Sequence, residues 1–379
     1  MLTVDSPDTC GFDPVRWRAV LESIQDLCNQ DVLPSAGMFV ARAGQTMGTY
    51  VFGRQMLAGA PSSIREDAIF LVASITKPIV ACGALLLLER GRLALDDRVT
   101  EFIPEFGQQD KAGVTIRHLL THTSGLPDML SNNQELREQH APVVDFVANT
   151  CEVKLDFPSG HRVQYQSMGF AILGEVIARV TGSPCPQFLK DEFFDPLEMN
   201  DTALGAPDTW FEGPNSRVNR IAELRVPDEQ QEMLDWNWNS RYWRQLGVPW
   251  GGLLTTPRDL GNFSSMMLNG GQFKGNSILS PASVLAATRN QLTAMKNLPE
   301  EERRCKPWGL GWRLNWSGHS ANFGDLLGPN SYGHWGATGT VLWIDPDTET
   351  LAIFLTTLPQ EPRGVHLTRV CNQIAAALL

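Results

Sequence analysis

Apolar and polar positions near the start of the chain follow first a helical and then a strand period. Residues 14–30 carry apolar side chains at steps of three and four, the spacing of one helix face, and predict a helix. Gly37–Arg42 and Gln45–Phe52 follow on either side of the turn Ala43-Gly44 and predict a β-hairpin. The mostly apolar segment Pro78–Leu88 then predicts a buried helix that ends near Gly91.

The middle of the chain has a different pattern. Between about residues 96 and 245 strand signals are few, and loops rich in Pro and Gly separate segments of helical spacing. These segments are Ile116–Thr121, Val143–Asn149, Met168–Val180 and Pro186–Phe194.

Strand patterns return after residue 250. They cover Trp308–Leu314, Gly339–Asp345 and Thr350–Leu358, and a helix from about Val365 to Leu378 closes the chain. We therefore predict an α+β fold, a sandwich whose central antiparallel sheet is flanked by helices and is built from residues 1–95 and 246–379. Residues 96–245 would form a mostly helical inserted domain, with the active site at the interface of the two.

Composition and charge remove several classes of function. The 379 residues are 42% hydrophobic and carry a net charge of -11, which argues against nucleic acid and anionic membranes as partners. The longest apolar stretch is well short of the roughly 20 residues of a spanning helix. No signal peptide is visible, and the seven cysteines stand singly without a C-x-x-C pair. We expect a cytoplasmic protein with reduced thiols and with neither metal nor cofactor; its oligomeric state stays open.

Tryptophan is unusually frequent, with eleven Trp against four Tyr. Four of them lie close together in the sequence, at Trp236, Trp238, Trp243 and Trp250. They would either pack in the core or wall a pocket for an apolar substrate group.

The main candidate for chemistry is the segment Ser74-Ile75-Thr76-Lys77, which begins the apolar helix. A serine hydroxyl is a weak nucleophile and needs a neighbouring base. An amine one helical turn later can serve as that base if burial lowers its pKa, and the helix dipole favours an oxyanion at the same place. The alternative is that Ser74 only caps a buried helix.

Two further motifs stand far away in the sequence. Tyr165-Gln166-Ser167 precedes an apolar helix, and Gly333-His334-Trp335-Gly336-Ala337-Thr338-Gly339 leads into a strand. In this order the three motifs resemble S-x-x-K, Y-x-N and H-x-G of the serine hydrolases with the class C β-lactamase fold. That family also includes penicillin-binding D-Ala-D-Ala peptidases and β-lactamase-like carboxylesterases. Three flanking segments are similar to family loops as well: Leu119–Pro127, Pro196–Thr202 and Gly251–Leu260.

The resemblance implies a role for each matching residue. Ser74 would be the acylated nucleophile, and Lys77 would lower the pKa of its neighbours and share in proton transfer. Tyr165 would be the base that takes the Ser74 proton and later activates water. The backbone N–H groups of Ser74 and Ala337 would form the oxyanion hole. His334 would be either a functional proton donor or a strand residue that bonds the backbone.

The chain departs from the family at two places. Ser167 stands where the family has Asn, and His334-Trp335 stands where the lactamases have the Lys-Thr pair that helps to hold a substrate carboxylate. Ser167, Trp335, Gly336 and Trp250 are the candidate substrate-binding residues. The loss of the fixed positive charge favours a neutral, apolar ester over a β-lactam, and we expect a carboxylesterase that forms an acyl-enzyme.

Other functions stay open. The same residues would serve a D-Ala-D-Ala-type peptidase, an amidase, a weak β-lactamase or an acyltransferase, and a relative without activity could only bind a ligand. An α/β-hydrolase is excluded because no G-x-S-x-G segment occurs. His118 and His122 have metal-ligand spacing, but His122 more simply forms a structural hydrogen bond in its loop.

Overall fold

The computed structural model describes residues 3–58, 62–315, 323–360 and 364–379. The strands are β1 (Thr3–Val4), β2 (Ser35–Arg42), β3 (Gln45–Gly53), β4 (Phe70–Leu71), β5 (Ala203–Leu204), β6 (Leu253–Thr255), β7 (Gln272–Phe273), β8 (Asn276–Ser277), β9 (Arg313–Leu314), β10 (Tyr332–Gly336), β11 (Thr340–Asp345) and β12 (Thr350–Thr356). The helices are α1 (Pro14–Asn29), α2 (Thr76–Glu89), α3 (Ile116–Leu120), α4 (Asn133–Glu138), α5 (Val143–Glu152), α6 (Met168–Thr181), α7 (Cys185–Leu189), α8 (Arg241–Leu246), α9 (Pro257–Leu268), α10 (Pro281–Thr288), α11 (Glu300–Cys305) and α12 (Val365–Ala376).

A seven-stranded sheet with the order β1-β3-β2-β12-β11-β10-β9 forms the centre of the fold. Its pairs are antiparallel except for β1 with β3, so the two ends of the chain meet in one sheet through β2 and β12. Successive residues of a strand point to opposite faces. Along β2 Met38 and Val40 therefore join one core and Phe39 joins the other. Both faces are buried at β2, which explains why this strand is apolar from Ala36 to Ala41.

Helices cover both faces of the sheet. On one face α1 and α12 pack beside each other, and Trp17 and Ile374 lie in the same core as Trp343 of β11. The Asp13 carboxylate caps α1 by accepting hydrogen bonds from the N–H groups of Val15 and Arg16. On the other face lie α2 and α9. The predicted α+β sandwich with a central antiparallel sheet is therefore confirmed.

Most predicted elements are present within one or two residues of their predicted limits. One prediction was too long, because in Trp308–Leu314 only β9 is a strand and Trp308 makes a single bridge to Arg313. Gly311 has a left-handed backbone with φ 78°, which ends the extended conformation. Helix α9 was not predicted from the apolar pattern, although it lies in a segment that resembles a family loop.

Residues 96–245 contain α3 to α8, and the helix α7 continues as a single π turn at Lys190–Phe194. The short strand β5 also lies there, and it pairs with β6 in a three-stranded sheet of order β4-β6-β5. The limits of the inserted domain stay a prediction. The role of this small sheet is to hold β4, the strand that leads directly to Ser74.

All seven cysteines are free thiols. In the part of the chain that the structure describes, no helix is both long and apolar enough to cross a membrane.

Candidate active site

Ser74 lies in a 3-10 turn, Ala73–Ile75, that leads into α2. Ala73 has a left-handed backbone with φ 45°, an unfavourable conformation for a residue with a side chain, so the chain turns sharply before the serine. Thr76 holds the turn because its hydroxyl donates to the Ala73 carbonyl at 2.6 Å and accepts from the N–H of Leu253 at 3.1 Å. The N-cap residues of the turn and of α2 are Val72 and Ile75, and neither makes a capping hydrogen bond through its side chain. Ser74 lies inside the turn, so its interpretation as a helix cap is wrong. Ser74 itself is partly exposed and can be reached by a substrate.

Lys77 is fully buried. Its Nζ donates to Ser74 Oγ at 2.9 Å and to the Trp250 carbonyl at 2.9 Å. No carboxylate lies within ion-pair distance of it among the described residues, and burial lowers the pKa of Lys77 to about 7, opposed in part by the charge of Asp128. A large fraction of Lys77 is therefore a free amine at neutral pH, in contact with the candidate nucleophile.

Tyr165 lies against Lys77. The Lys77 Nζ is 4.7 Å from the centre of the Tyr165 ring, and the residue as a whole is partly exposed. The Tyr165 hydroxyl is buried and makes no hydrogen bond of normal geometry in the described part of the chain. Burial raises the pKa of Tyr165, and the nearby Ser74 hydroxyl opposes that rise. A phenolate is thus disfavoured in the free protein, in contrast to the base role that the family resemblance implied.

His122 fixes the backbone beside Tyr165. Its Nδ1 accepts from the N–H of Gln166 at 3.0 Å, and its ring stacks on the Tyr165 ring with centres 4.7 Å apart. The Gln166 side chain donates to the Leu119 carbonyl at 3.1 Å, so the second motif is bonded to α3. The predicted structural hydrogen bond of His122 is confirmed. Among residues in the described ranges, no group of three or more His, Cys, Asp or Glu could hold a metal.

His334 is buried, and its Nδ1 lies 2.7 Å from the Trp335 carbonyl. Because a carbonyl oxygen only accepts, Nδ1 must carry a proton, and Nε2 of the neutral ring is an acceptor. Burial lowers the pKa of His334 to about 3, so the ring is neutral at physiological pH. The geometry favours the strand residue that bonds the backbone over the proton donor. A catalytic role for His334 stays a prediction.

The third motif is tied to the segment before Ser74. Thr338 donates to the Leu71 carbonyl at 2.7 Å, and Thr340 donates to the Val72 carbonyl at 3.0 Å. Gly336 packs so closely on the Val72 carbonyl that there is no space for a Cβ atom. Ala337 therefore lies in the turn that is held next to Ser74. This placement is compatible with an oxyanion hole from the N–H groups of Ser74 and Ala337, which stays a prediction.

The tryptophans have two separate roles. Trp335 is partly exposed and stacks on His334 and Tyr165, with ring centres 5.2 and 6.3 Å away. Trp250 is buried, and it contributes to the site only its carbonyl, which accepts from Lys77. Trp236 and Trp243 are buried as well and lie on the Arg137 guanidinium. Three of the four clustered tryptophans are therefore core residues and do not wall a pocket.

Ser167 is not free to contact a substrate as a donor. Its hydroxyl donates to the Asp128 carboxylate at 2.6 Å, and its N–H donates to the Asp128 carbonyl at 3.2 Å. The sequence analysis missed Asp128, although it stands directly after the segment Leu119–Pro127 that resembles a family loop. No pattern in the chain links it to Ser167, 39 residues away.

A separate cavity of about 760 Å³ lies between the main sheet and α9, lined by residues such as Phe39, Arg258 and Asp259. None of the three motifs contributes to it. The chemistry of the chain is thus concentrated at Ser74, where a hydroxyl, an amine and a phenol meet. This is an arrangement suited to acyl transfer through a covalent intermediate.

Comparison with known proteins identifies the family. The family model described as Beta-lactamase matches residues 19–375, so the chain belongs to this family of serine hydrolases. Protein Rv1367c of Mycobacterium tuberculosis is 28% identical over 377 residues, with 88% of each chain covered. A penicillin-binding protein homologue from Caulobacter crescentus superposes with a TM-score of 0.78 at 24% identity, over 97% of this chain and 99% of that one.

A solved structure described as a family VIII carboxylesterase is also similar. It has a TM-score of 0.74 at 22% identity, over 95% of this chain and 98% of that one. The recognised class C β-lactamase-like fold is therefore confirmed.

The close approach of Gly336 to Val72 gives a first prediction. In Gly336→Ala the new methyl group must push β10 away from the turn that carries Ser74. We expect a loss of about 1–3 kcal/mol in the free energy of unfolding, as for other overpacked sites, together with slower labelling of Ser74 by a fluorophosphonate. Gly113→Ala is the matched control, because a Cβ there meets open space. Labelling at the wild-type rate in Gly336→Ala would show that this contact does not position the site.

Proposed function

We propose that this member of the Beta-lactamase family is a carboxylesterase that works through an acyl-enzyme on Ser74. The observation that supports it most directly is the contact of Lys77 Nζ with Ser74 Oγ at 2.9 Å, inside a buried site where the pKa of Lys77 is lowered to about 7. A binding protein without activity has no use for a buried, unpaired amine at this position, since burying it is costly.

Acylation begins with proton transfer from Ser74 Oγ to the free amine of Lys77. Oγ forms a bond to the carbonyl carbon of the ester, and the oxyanion is stabilised by the N–H groups of Ser74 and Ala337. The bond between the carbonyl carbon and the alcohol oxygen then breaks, and the Tyr165 hydroxyl passes a proton to the departing alkoxide. Tyr165 is reprotonated from Lys77. Its raised pKa suits a group that relays a proton and is not itself ionised at rest.

Deacylation reverses these roles. Water takes the place of the alcohol, and Lys77 and Tyr165 remove its proton as the oxygen attacks the acyl carbonyl. The bond between that carbon and Ser74 Oγ breaks, Oγ recovers a proton, and a carboxylic acid is released. The same path with another alcohol in place of water would be acyl transfer.

The substrate class is inferred from the third motif. His334 is neutral and Trp335 occupies the next position, so neither residue supplies the fixed cation that the lactamases place there. The Arg313 guanidinium acts on His334 from a buried position over the Trp308 ring. The partly exposed Trp335 ring offers an apolar surface beside Tyr165. Both features favour an ester without a carboxylate, which agrees with the similarity to a family VIII carboxylesterase.

A D-Ala-D-Ala-type peptidase is the second candidate, because the Caulobacter crescentus structure is described as a penicillin-binding protein homologue. An amidase, a weak β-lactamase and an acyltransferase would use the same residues.

Ester turnover tests the proposal. The wild-type protein should hydrolyse p-nitrophenyl butyrate much faster than a chromogenic cephalosporin, and Ser74→Ala should abolish both activities without unfolding the protein. Ser264→Ala removes an equally small hydroxyl that is buried in α9, so it should keep ester turnover. Dominant cephalosporin turnover would favour a lactamase or peptidase, and substantial activity of Ser74→Ala would contradict the nucleophile.

The pH dependence tests the base. Since the base acts in its deprotonated form, kcat/KM for the ester should rise with pH through about 7, the pKa of Lys77, and then level off. Tyr165→Phe should lower kcat/KM roughly 100-fold, the usual size of one acid–base contribution, and leave the rise near the same pH. Lys77→Met should be inactive.

Lys111 provides the control for this experiment, because it is also fully buried and donates to a backbone carbonyl, that of Val153. Lys111→Met should therefore keep the wild-type pH profile. If the rise in kcat/KM shifted or vanished in Tyr165→Phe, the tyrosine and not Lys77 would be the titrating base.

A further inference from the structure

Asp128 is bonded to the second motif and faces solvent. It accepts from the Ser167 hydroxyl at 2.6 Å through one carboxylate oxygen, Oδ1, and its backbone carbonyl accepts from the Ser167 N–H. Ser167 is buried and follows Tyr165 by two residues, whereas Asp128 is exposed. The buried Ser167 therefore holds the exposed carboxylate of Asp128 next to the second motif.

This carboxylate is unpaired. No Lys, Arg or His lies within ion-pair distance of Asp128 in the described ranges of the chain, although many exposed carboxylates elsewhere have such a partner. Its charge raises the pKa of both Lys77 and Tyr165. Asp128 therefore acts electrostatically on the reacting groups. The charge is thus available to a substrate that occupies the site.

The ring of Trp335 lies next to that of Tyr165. Trp335 and Tyr165 are both partly exposed, and their planes lie within 21° of parallel at 6.3 Å. Aromatic faces next to a carboxylate attract ammonium groups, quaternary ones in particular, through charge and cation–π interaction. The same carboxylate repels anionic substrates.

We propose that Asp128, held by Ser167 two residues after Tyr165, acts together with the partly exposed ring of Trp335 to select esters that carry an ammonium group and to reject those that carry a carboxylate. The inference rests on the proposed esterase function and names the substrate class of the same site. It also gives Ser167 a role in place of the family's Asn, that of a positioning residue for the carboxylate of Asp128.

Two pairs of substrates of equal shape test this selection. Acetylthiocholine is compared with S-(3,3-dimethylbutyl) thioacetate, which has carbon in place of the charged nitrogen. The p-nitrophenyl ester of 4-(trimethylammonio)butyrate is compared with that of 5,5-dimethylhexanoate, so that the charge lies in the acyl group. We expect the wild-type protein to have the higher kcat/KM for the charged member of at least one pair.

Asp128→Asn keeps an acceptor for the Ser167 hydroxyl and removes the charge. For the preferred pair it should lower the ratio of kcat/KM, charged over neutral, by about 5- to 30-fold, the range expected for a partly screened charge pair. The same ratio should fall in the wild-type protein as sodium chloride is raised, a measurement that needs no variant. Asp26→Asn changes an exposed carboxylate on α1, away from the site, and should keep the wild-type ratio.

The outcomes separate the two proposals. Turnover of the neutral esters with no preference for charge in either pair, or a preference that Asp128→Asn leaves intact, would overturn the role of Asp128 alone. If the wild-type protein hydrolysed none of the four esters, the esterase function would fail and this inference with it.

Discussion

The site depends on one constraint, the burial of the Lys77 amine with no counter-ion among the described residues. A charged ammonium in such surroundings costs several kcal/mol, so the folded protein favours the neutral amine at a pH where an exposed lysine is fully charged. The amine is held by two neutral oxygens, Ser74 Oγ and the Trp250 carbonyl, which fix its direction without stabilising its charge as a carboxylate would. This is the physical origin of a base in contact with the nucleophile.

The rest of the fold shields the Lys77 amine from water and leaves the Ser74 hydroxyl accessible. Helix α2 is buried along nearly its whole length, so Lys77 cannot turn to solvent. The left-handed backbone of Ala73 turns the chain directly before Ser74, at the start of the helix. Thr338 and Thr340 donate hydrogen bonds from the third motif to carbonyls of the segment that precedes Ser74. Residues from both ends of the chain and from its middle therefore meet within a rigid frame, which is what acyl transfer requires of its reacting groups.

Charge and unsatisfied hydrogen-bonding groups are distributed unevenly around this frame. The buried groups around it include the partly deprotonated Lys77 amine and the neutral imidazoles of His122 and His334, together with the Arg313 guanidinium, whose charge acts on both imidazoles. Asp128 adds an exposed carboxylate. Three buried polar atoms there, on Tyr165, His122 and His334, have no hydrogen-bond partner among the described residues. Each such atom costs about 1–3 kcal/mol of stability. The atoms on Tyr165 and His334 belong to candidate catalytic residues, whereas the one on His122 belongs to a structural residue.

The sequence by itself determined the fold class, most helices and strands, and the three motifs, because apolar periodicity and short ordered motifs are local properties of the chain. It did not reveal that Lys77 has no counter-ion, that burial raises the pKa of Tyr165, or that Ser167 bonds to Asp128. These are decided by which distant segments pack together, since pKa values and hydrogen-bond partners depend on neighbours in space. The clustered tryptophans show the same limit, because only the tertiary structure separates the buried Trp236, Trp243 and Trp250 from Trp335 at the site.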